Sequence, residues 1–516
     1  MAKSRSAGPG KQQRLKRAHV RGSQLIARWL AFSFIAILGA LLLLAALDVR
    51  LGQGFFAYRY SPVRNMRALR ALPPIALAAM TAGAIWYLSR ARRRIAYGLL
   101  IAALLGATAW LWWAPPQPLE QHAFNLRSLS SDGAFVEEAE GIQSIRAYLQ
   151  DFEQRVKLSP SEMGGTRILS NPPGMTVLTY GVLHAWPTRG DRPAFFERIA
   201  IRRQDIPPEL IVISANSLKV SVVLTAIWML AVISAYFLGR VFLSPTGAVT
   251  FAAIACFNPC VVLFVPGKDP AQLLTIHLML LGWLAAWKLP RATGWAAALG
   301  GAALAIGSTF GLVHIWVALA AFLTTAWDAM AQRDGRCGMR LLVNSTSAAT
   351  GAALVCLIAY ATLGWNIPSH LQAVYQRFGP LQETFTMSRP IWYLIGLPIF
   401  LLFLSPGFLT LLGLRAHRRR IQFGARLALC TSGVMLLTYA LGVTYELPRL
   451  WVVFLPPLTL GLMIDLPLMK FPATHRQAAQ ALMLIVAVQI VFTAFHWTMF
   501  DVRESEYRLL TKRFYQ

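Results

Sequence analysis

LIARWLAFSFIAILGALLLLAAL, residues 25–47, carries a single formal charge, at Arg28, in an otherwise apolar run. As a helix rising about 1.5 Å per residue, such a run can cross a hydrocarbon core of about 30 Å. A signal-peptide core is shorter and leads to a small-residue cleavage site, so this stretch reads as a retained first membrane helix. The basic tail before it, MAKSRSAGPGKQQRLKRAHVRGSQ, is expected in the cytoplasm.

Windows of the same kind recur along all 516 residues, which are 56% hydrophobic and 14% charged with a mean hydropathy of +0.51. Thirteen candidate spans begin near residues 25, 73, 96, 216, 246, 270, 294, 311, 341, 391, 425, 449 and 478. The expected fold class is all-α, a polytopic transmembrane helix bundle of about 11 to 13 spans, because helices satisfy their own backbone hydrogen bonds in lipid. The chain divides into a tail (1–24), three leading helices (25–113), a large external loop (114–215), the main bundle (216–497) and a C-terminal tail (498–516).

The net charge of +27 falls largely in short connectors: RARRR (90–94), LGR (238–240), WKLPRA (287–292), RDGRCGMR (333–340) and RAHRRRIQFGAR (415–426). All five share one side when the tail is cytoplasmic, which is the positive-inside pattern rather than a nucleic-acid surface. Of 22 carboxylates only Asp328, Asp334 and Asp465 fall on that side, so carboxylate chemistry belongs outside. The segment DVRLGQGFFAYRYSPVRNMRALR resists this layout, with five arginines on the outer side. It reads as an interfacial helix on anionic headgroups, or else the first pair of spans is misassigned. Cys256 and Cys260 of CFNPC have redox-pair spacing but sit in an apolar span, so they read as small buried residues.

Three external stretches hold candidate chemistry. After Asp132, the residues Phe135, Ile142, Ile145, Tyr148, Leu149, Phe152 and Val156 recur at helical intervals, predicting one amphipathic helix on the membrane surface. Asp132 is placed to act as a general base or, with Glu137, Glu138 and Glu140, to hold an acceptor or a cation; a helix cap at Ser131 or Asp132 has the same pattern. In SNPPGMTVL (170–178), two prolines in a first turn predict the start of a short surface or re-entrant helix. PGKDP (266–270) presents Lys268 and Asp269 to a phosphate and a substrate, or is simply a charged turn. Glu446 and Arg449, at i and i+3 where a late span begins, can pair on one helix face, or Arg449 can hold a lipid phosphate. His184, His277, His314 and His496 are scattered singly, without metal-site spacing.

Taken in order, SSDGAFVEEAE, SNPPGMTVL, FNPCVVLFVPGKDP and TYELPRLWVVFLPP resemble the C-type (GT-C) membrane glycosyltransferases, the superfamily of the protein mannosyltransferases and the lipid A aminoarabinose transferase. The resemblance covers residues 96 to 465, and the two leading spans look like an addition to the usual plan. It implies a GT-C-like fold and transfer of a sugar from a polyprenyl-phosphate donor to a lipid, protein or glycan acceptor on the outer face of the bacterial inner membrane. It further implies Asp132 as base, Asp269 as a second carboxylate for the acceptor or a divalent cation (Mg or Mn), Lys268 or Arg449 on the donor phosphate, and Glu446 orienting Arg449. Asn171, Pro172, Pro173 and Gly174 would shape the cavity floor. One departure stands at Asn171, where relatives carry His or Lys: asparagine can hydrogen-bond but brings no charge.

A transporter or flippase of a lipid-linked intermediate is the alternative from another class, and would show inverted repeats or broken helices; the sequence displays neither. A catalytically inactive relative that binds the donor, and an envelope-glycan ligase or polymerase, complete the alternatives.

Overall fold

The computed structural model describes residues 9–51, 58–62, 72–113, 132–159, 167–187, 208–383, 389–418, 420–444, 447–470 and 476–503. Helices carry the fold, as expected. Ten of them are long and apolar enough to cross a membrane, from Gln24–Ala46 to Arg476–Thr498, and the chain is an integral membrane protein. All thirteen expected positions hold helices, but not all are simple spans. One is a pair, Pro390–Phe403 and Pro406–Ala416, bent by 103°, and two, Pro245–Cys256 and Trp295–Ser308, are short.

The irregular pieces have local causes. The helix Pro245–Cys256 opens on Ser244, whose hydroxyl accepts the Gly247 N–H at 3.2 Å, and it stops where Asn258 and Pro259 follow. Its freed Phe257 carbonyl accepts from Gln489 Nε2 at 2.7 Å and Thr493 Oγ1 at 3.1 Å, both on the last span. The bend at 403–406 is made the same way, with Ser405 capping the helix that begins at Pro406. Asn258 Nδ2 donates to Ser405 Oγ at 3.3 Å, so the two breaks meet in the core. Broken helices, which the sequence reading did not find, are therefore present, and polar side chains satisfy the backbone they release. Cys256 and Cys260, on either side of the first break, are buried free thiols.

Small residues set the closest helix contacts. A Cβ on Gly301 would lie 1.9 Å from the Ala348 carbonyl oxygen, and one on Gly351 would lie 1.9 Å from that of Ala298. The helices Trp295–Ser308 and Gly335–Leu363 thus touch backbone to backbone, the packing mode that replaces the hydrophobic drive between helices in lipid.

A small antiparallel sheet departs from an all-helical fold. Strand β1 (Arg50–Leu51) pairs with β2 (Tyr58–Pro62), and β2 with β3 (Phe500–Arg503). The described part of the arginine-bearing outer segment is therefore strand, not an interfacial helix, and the first pair of spans stands. The pairing also puts the chain before the second span and the chain after the last span at one end of the bundle. The helices Leu72–Ser89 and Arg93–Trp113 form a hairpin that returns to that end, where the site is built.

The opposite end gathers the basic connectors. Arg426 pairs with Asp328, whose second oxygen accepts from Trp287 Nε1 at 3.0 Å and Gln332 Nε2 at 2.7 Å. Arg415 lies 3.7 Å from Asp465. Two of the three acids expected on this side are thus neutralised by connector arginines.

Candidate functional site

The expected amphipathic helix is two helices, Gly133–Glu140 and Ile145–Arg155, separated at 141–144. The break follows from Gly141 and from Ser144, whose hydroxyl accepts the Ala147 N–H at 3.4 Å as a cap. Its halves serve different ends. Phe135 is buried with Ile168 and Met175 under the site, whereas Tyr148, Leu149, Phe152 and Val156 pack against Trp365, Ile367 and Val374. Burial raises the Tyr148 hydroxyl well above its usual range, with Glu138 adding to the effect.

Asp132 sits at the cap position of the first half, yet its side chain makes no capping bond there. Instead Oδ1 is 2.6 Å from Arg167 Nη2 and Oδ2 accepts the Lys268 backbone N–H at 2.5 Å. Lys268 is the first residue of the span Lys268–Lys288, so Asp132 caps a different helix. Gly267 permits the approach: a Cβ there would stand 2.5 Å from the Phe264 carbonyl oxygen and 3.1 Å from Asp132 Oδ2.

Asp269, in the first turn of that span, is the hub. Arg449 Nε lies 3.1 Å from its Oδ2, Arg167 Nη2 lies 3.4 Å from the same atom, and Lys268 Nζ lies 3.6 Å from Oδ1. Gln272 Nε2 donates to Oδ1 at 3.0 Å. The Lys268 ammonium also donates to Asn171 Oδ1 and to the Phe310 carbonyl, the latter at 3.3 Å. Asn171 Nδ2 returns a bond to the Arg167 carbonyl at 2.8 Å. The uncharged residue of the proline turn therefore joins the two cations on either side of it.

The turn holds its place by close approach. Pro172 and Pro173 are buried, and the helix Gly174–Ala185 starts directly after them, as the sequence predicts. Gly174 N–H donates to the Thr309 carbonyl at 2.8 Å, and a Cβ on Gly174 would lie 2.4 Å from Thr309 Oγ1.

Asp132, Asn171, Lys268, Asp269 and Arg449, far apart in sequence, are thus brought to one buried cluster. Glu137 and Glu138 are not: Glu137 is exposed, and Glu138 takes both Nε and Nη2 of Arg155. Glu446 lies outside the described residues. Arg167 belongs to the site and was not singled out from the sequence. Its signal was an ionisable residue followed by the apolar Ile168 and Leu169 just before the proline turn, in TRILSNPPG. The isolated histidines stay apart: His277 and His314 are buried and bonded to backbone carbonyls, His496 packs on Phe403 and Phe492, and His184 is exposed against Tyr180.

Three cations and two carboxylates thus meet among the described residues of this cluster. Arg449 is the most open of the cations, with a side-chain exposure of 14% against 4% for Lys268 and 9% for Arg167. Oxygen donors such as Asp132 and Asp269 suit Mg or Mn. Among the described residues, however, no three His, Cys, Asp or Glu side chains are grouped to hold an ion. Compared with protein-family models and with curated proteins, the chain matches none.

Proposed function

We propose that this membrane protein is a glycosyltransferase of the GT-C type, moving a sugar from a polyprenyl-phosphate donor to an acceptor hydroxyl. The observation that carries the reading is the buried cluster itself: two carboxylates and three cations at one end of a helix bundle. Burying so many charges is expensive, and a merely structural pair would need only two of them.

In this reading Arg449 meets the donor phosphate first, because it is the most exposed cation, and Lys268 adds charge from beneath, held by Asn171. Asp132 takes the proton from the acceptor hydroxyl, the hydroxyl oxygen bonds to the anomeric carbon, and the bond from that carbon to the phosphate oxygen breaks. Polyprenyl phosphate leaves with its charge held by the arginines. Asp269 fixes the cations and lies next to the reacting groups. The connectors rich in Lys and Arg gather at the opposite end, which supports reading that end as cytoplasmic, and the proposal puts the site on the outer face, as of a bacterial inner membrane.

The meeting of two broken helices at Asn258 and Ser405 favours a second reading, a transporter or flippase of the same lipid. One experiment separates them. Membranes enriched in the protein receive a panel of radiolabelled polyprenyl-phosphate sugars, and label is followed into lipid, protein and glycan fractions. Transfer by the wild type, reduced about 100-fold or more by Asp132→Asn, is the expected result. Donor crossing sealed vesicles without being consumed would replace the enzyme by the transporter. Donor binding with neither event would mark an inactive binding subunit.

A further inference from the structure

Trp86, one turn before the end of the helix Leu72–Ser89, carries two guanidinium groups over its ring, and they come from different helices. Arg90 follows it by four residues, the spacing that shares a helix face, and its guanidinium carbon lies 4.1 Å from the ring centre. The chain turns back at once, with Ala91 in the left-handed region at φ 58° and the Arg92 N–H donating to the Tyr87 carbonyl at 2.9 Å. Arg476 opens the last span, Arg476–Met499, which packs along Leu72–Ser89 and brings its guanidinium carbon to 5.8 Å from the same ring.

Both arginines are exposed, and among the described residues no carboxylate pairs with either. Sharing one ring, they stand within a Debye length of each other, about 10 Å, so salt only partly screens their repulsion. Arg476 carries a second cost: it sits at the positive end of its own helix, where an anion is favoured and a cation is not. An anion between the two arginines offsets both costs. The depth is that of lipid headgroups. Trp86, Tyr97 and Tyr236 each stand about one turn from the connector end of their helix, where aromatic residues mark the membrane interface, and the two tyrosine hydroxyls lie 3.3 Å apart.

We propose that Trp86, Arg90 and Arg476 form a binding site for the phosphate of an anionic phospholipid at the connector end of the bundle. Held over the indole, the guanidinium planes are preorganised as forks for phosphate oxygens. The site lies apart from the Asp132 cluster and stands whatever the protein transfers. A phosphate bound there ties the leading hairpin to the last span, and at the other end the pairing of Tyr58–Pro62 with Phe500–Arg503 joins the same two parts of the chain.

The test is lipid retention by the full-length protein. Mixed micelles of phosphatidylglycerol and phosphatidylcholine with the same acyl chains are the probe, and bound lipid is counted by native mass spectrometry. Wild type is expected to keep phosphatidylglycerol over phosphatidylcholine roughly tenfold, the scale of one charge-assisted contact. Arg90→Gln combined with Arg476→Gln should cut that preference to about twofold. The control pair, Arg336→Gln with Arg418→Gln, removes the same charge from exposed positions in other connectors at the same end and should leave the preference unchanged. Arg90→Lys with Arg476→Lys keeps the charge but not the planar forks and should fall between. Trp86→Leu, with both arginines in place, should lose about threefold, because the platform that orients them is gone. An equal loss in the two glutamine pairs would assign the preference to the charge of the whole end and overturn the site, as would no preference in the wild type. Glycerol phosphate displacing the lipid as readily as added phosphatidylglycerol does would make the ligand a free phosphate and overturn the lipid occupant. None of these variants touches the Asp132 cluster, so the result is read independently of transfer activity.

Discussion

The Asp132 carboxylate caps a helix that begins 136 positions later, its Oδ2 accepting the Lys268 N–H at 2.5 Å. On the proposed reading this one residue has a structural duty and a chemical one, and the two separate by substitution. Asp132→Asn retains an acceptor for the cap, whereas Asp132→Ala loses the cap and leaves Arg167 without its nearest carboxylate. The alanine variant should be less stable than the asparagine one by about 1–3 kcal/mol, while both lose transfer activity. Thermal unfolding in detergent reads the difference. Identical melting curves for the two variants would show that the cap contributes nothing.

How far the site was legible depends on the kind of signal. Asp132, Lys268, Asp269 and Arg449 were readable because charged side chains near the ends of apolar spans stand out against their surroundings, and Asn171 because it opens the double-proline turn. Arg167 was not, because it sits in a polar connection with no periodicity, and only the fold shows that it bridges two acids 137 positions apart. Glu138 misled for the opposite reason: its neighbours in sequence resemble a site, but Arg155, 17 residues on, takes its carboxylate. Helix positions followed from hydropathy alone. The breaks at Asn258 and Ser405 needed the prolines that follow them to be weighed against a continuous apolar run. The pairing of Tyr58–Pro62 with Phe500–Arg503 joins the connection after the first span to the stretch after the last, and no local pattern announces it.

Gly301 and Gly351 should tolerate no side chain. A Cβ at either would press to 1.9 Å from a carbonyl oxygen on the neighbouring helix, so the helices must separate. Gly301→Ala is expected to destabilise by about 1–3 kcal/mol, with Gly301→Leu worse. Gly338, whose Cβ would meet nothing within 4 Å, is the control on the same helix as Gly351. The comparison is of melting temperature and yield of monodisperse protein. A Gly301→Leu protein as stable as Gly338→Ala would contradict the close packing.

At the connector end, Asp328 is held by Arg426, Trp287 and Gln332. Removing the acid alone strands an arginine that is largely buried, at 16% side-chain exposure. Asp328→Ala should therefore lower stability by about 3–5 kcal/mol, and adding Arg426→Met should recover a substantial part of it. The readout is unfolding of the single and double variants. Additive losses would mean that the two residues act independently.

His370 gives the site end of the bundle a pH dependence. It is buried beside Phe152, with ring centres 4.9 Å apart, and its Nδ1 has no hydrogen-bond partner among the described residues. Burial pushes its pKa below the ordinary histidine range, with Glu153 opposing more weakly. The folded protein thus keeps this ring neutral at pH values where the unfolded chain, near about 6.5, already takes up a proton. Its contribution to stability is whole above that value and declines as pH falls toward and through the folded-state pKa. Melting curves of wild type and His370→Phe across pH 7.5 to about 5 test the sign. The wild type should lose more stability on acidification, because only its ring must be kept from charging against the Phe152 face. Parallel curves would assign the acid sensitivity of the protein to other groups.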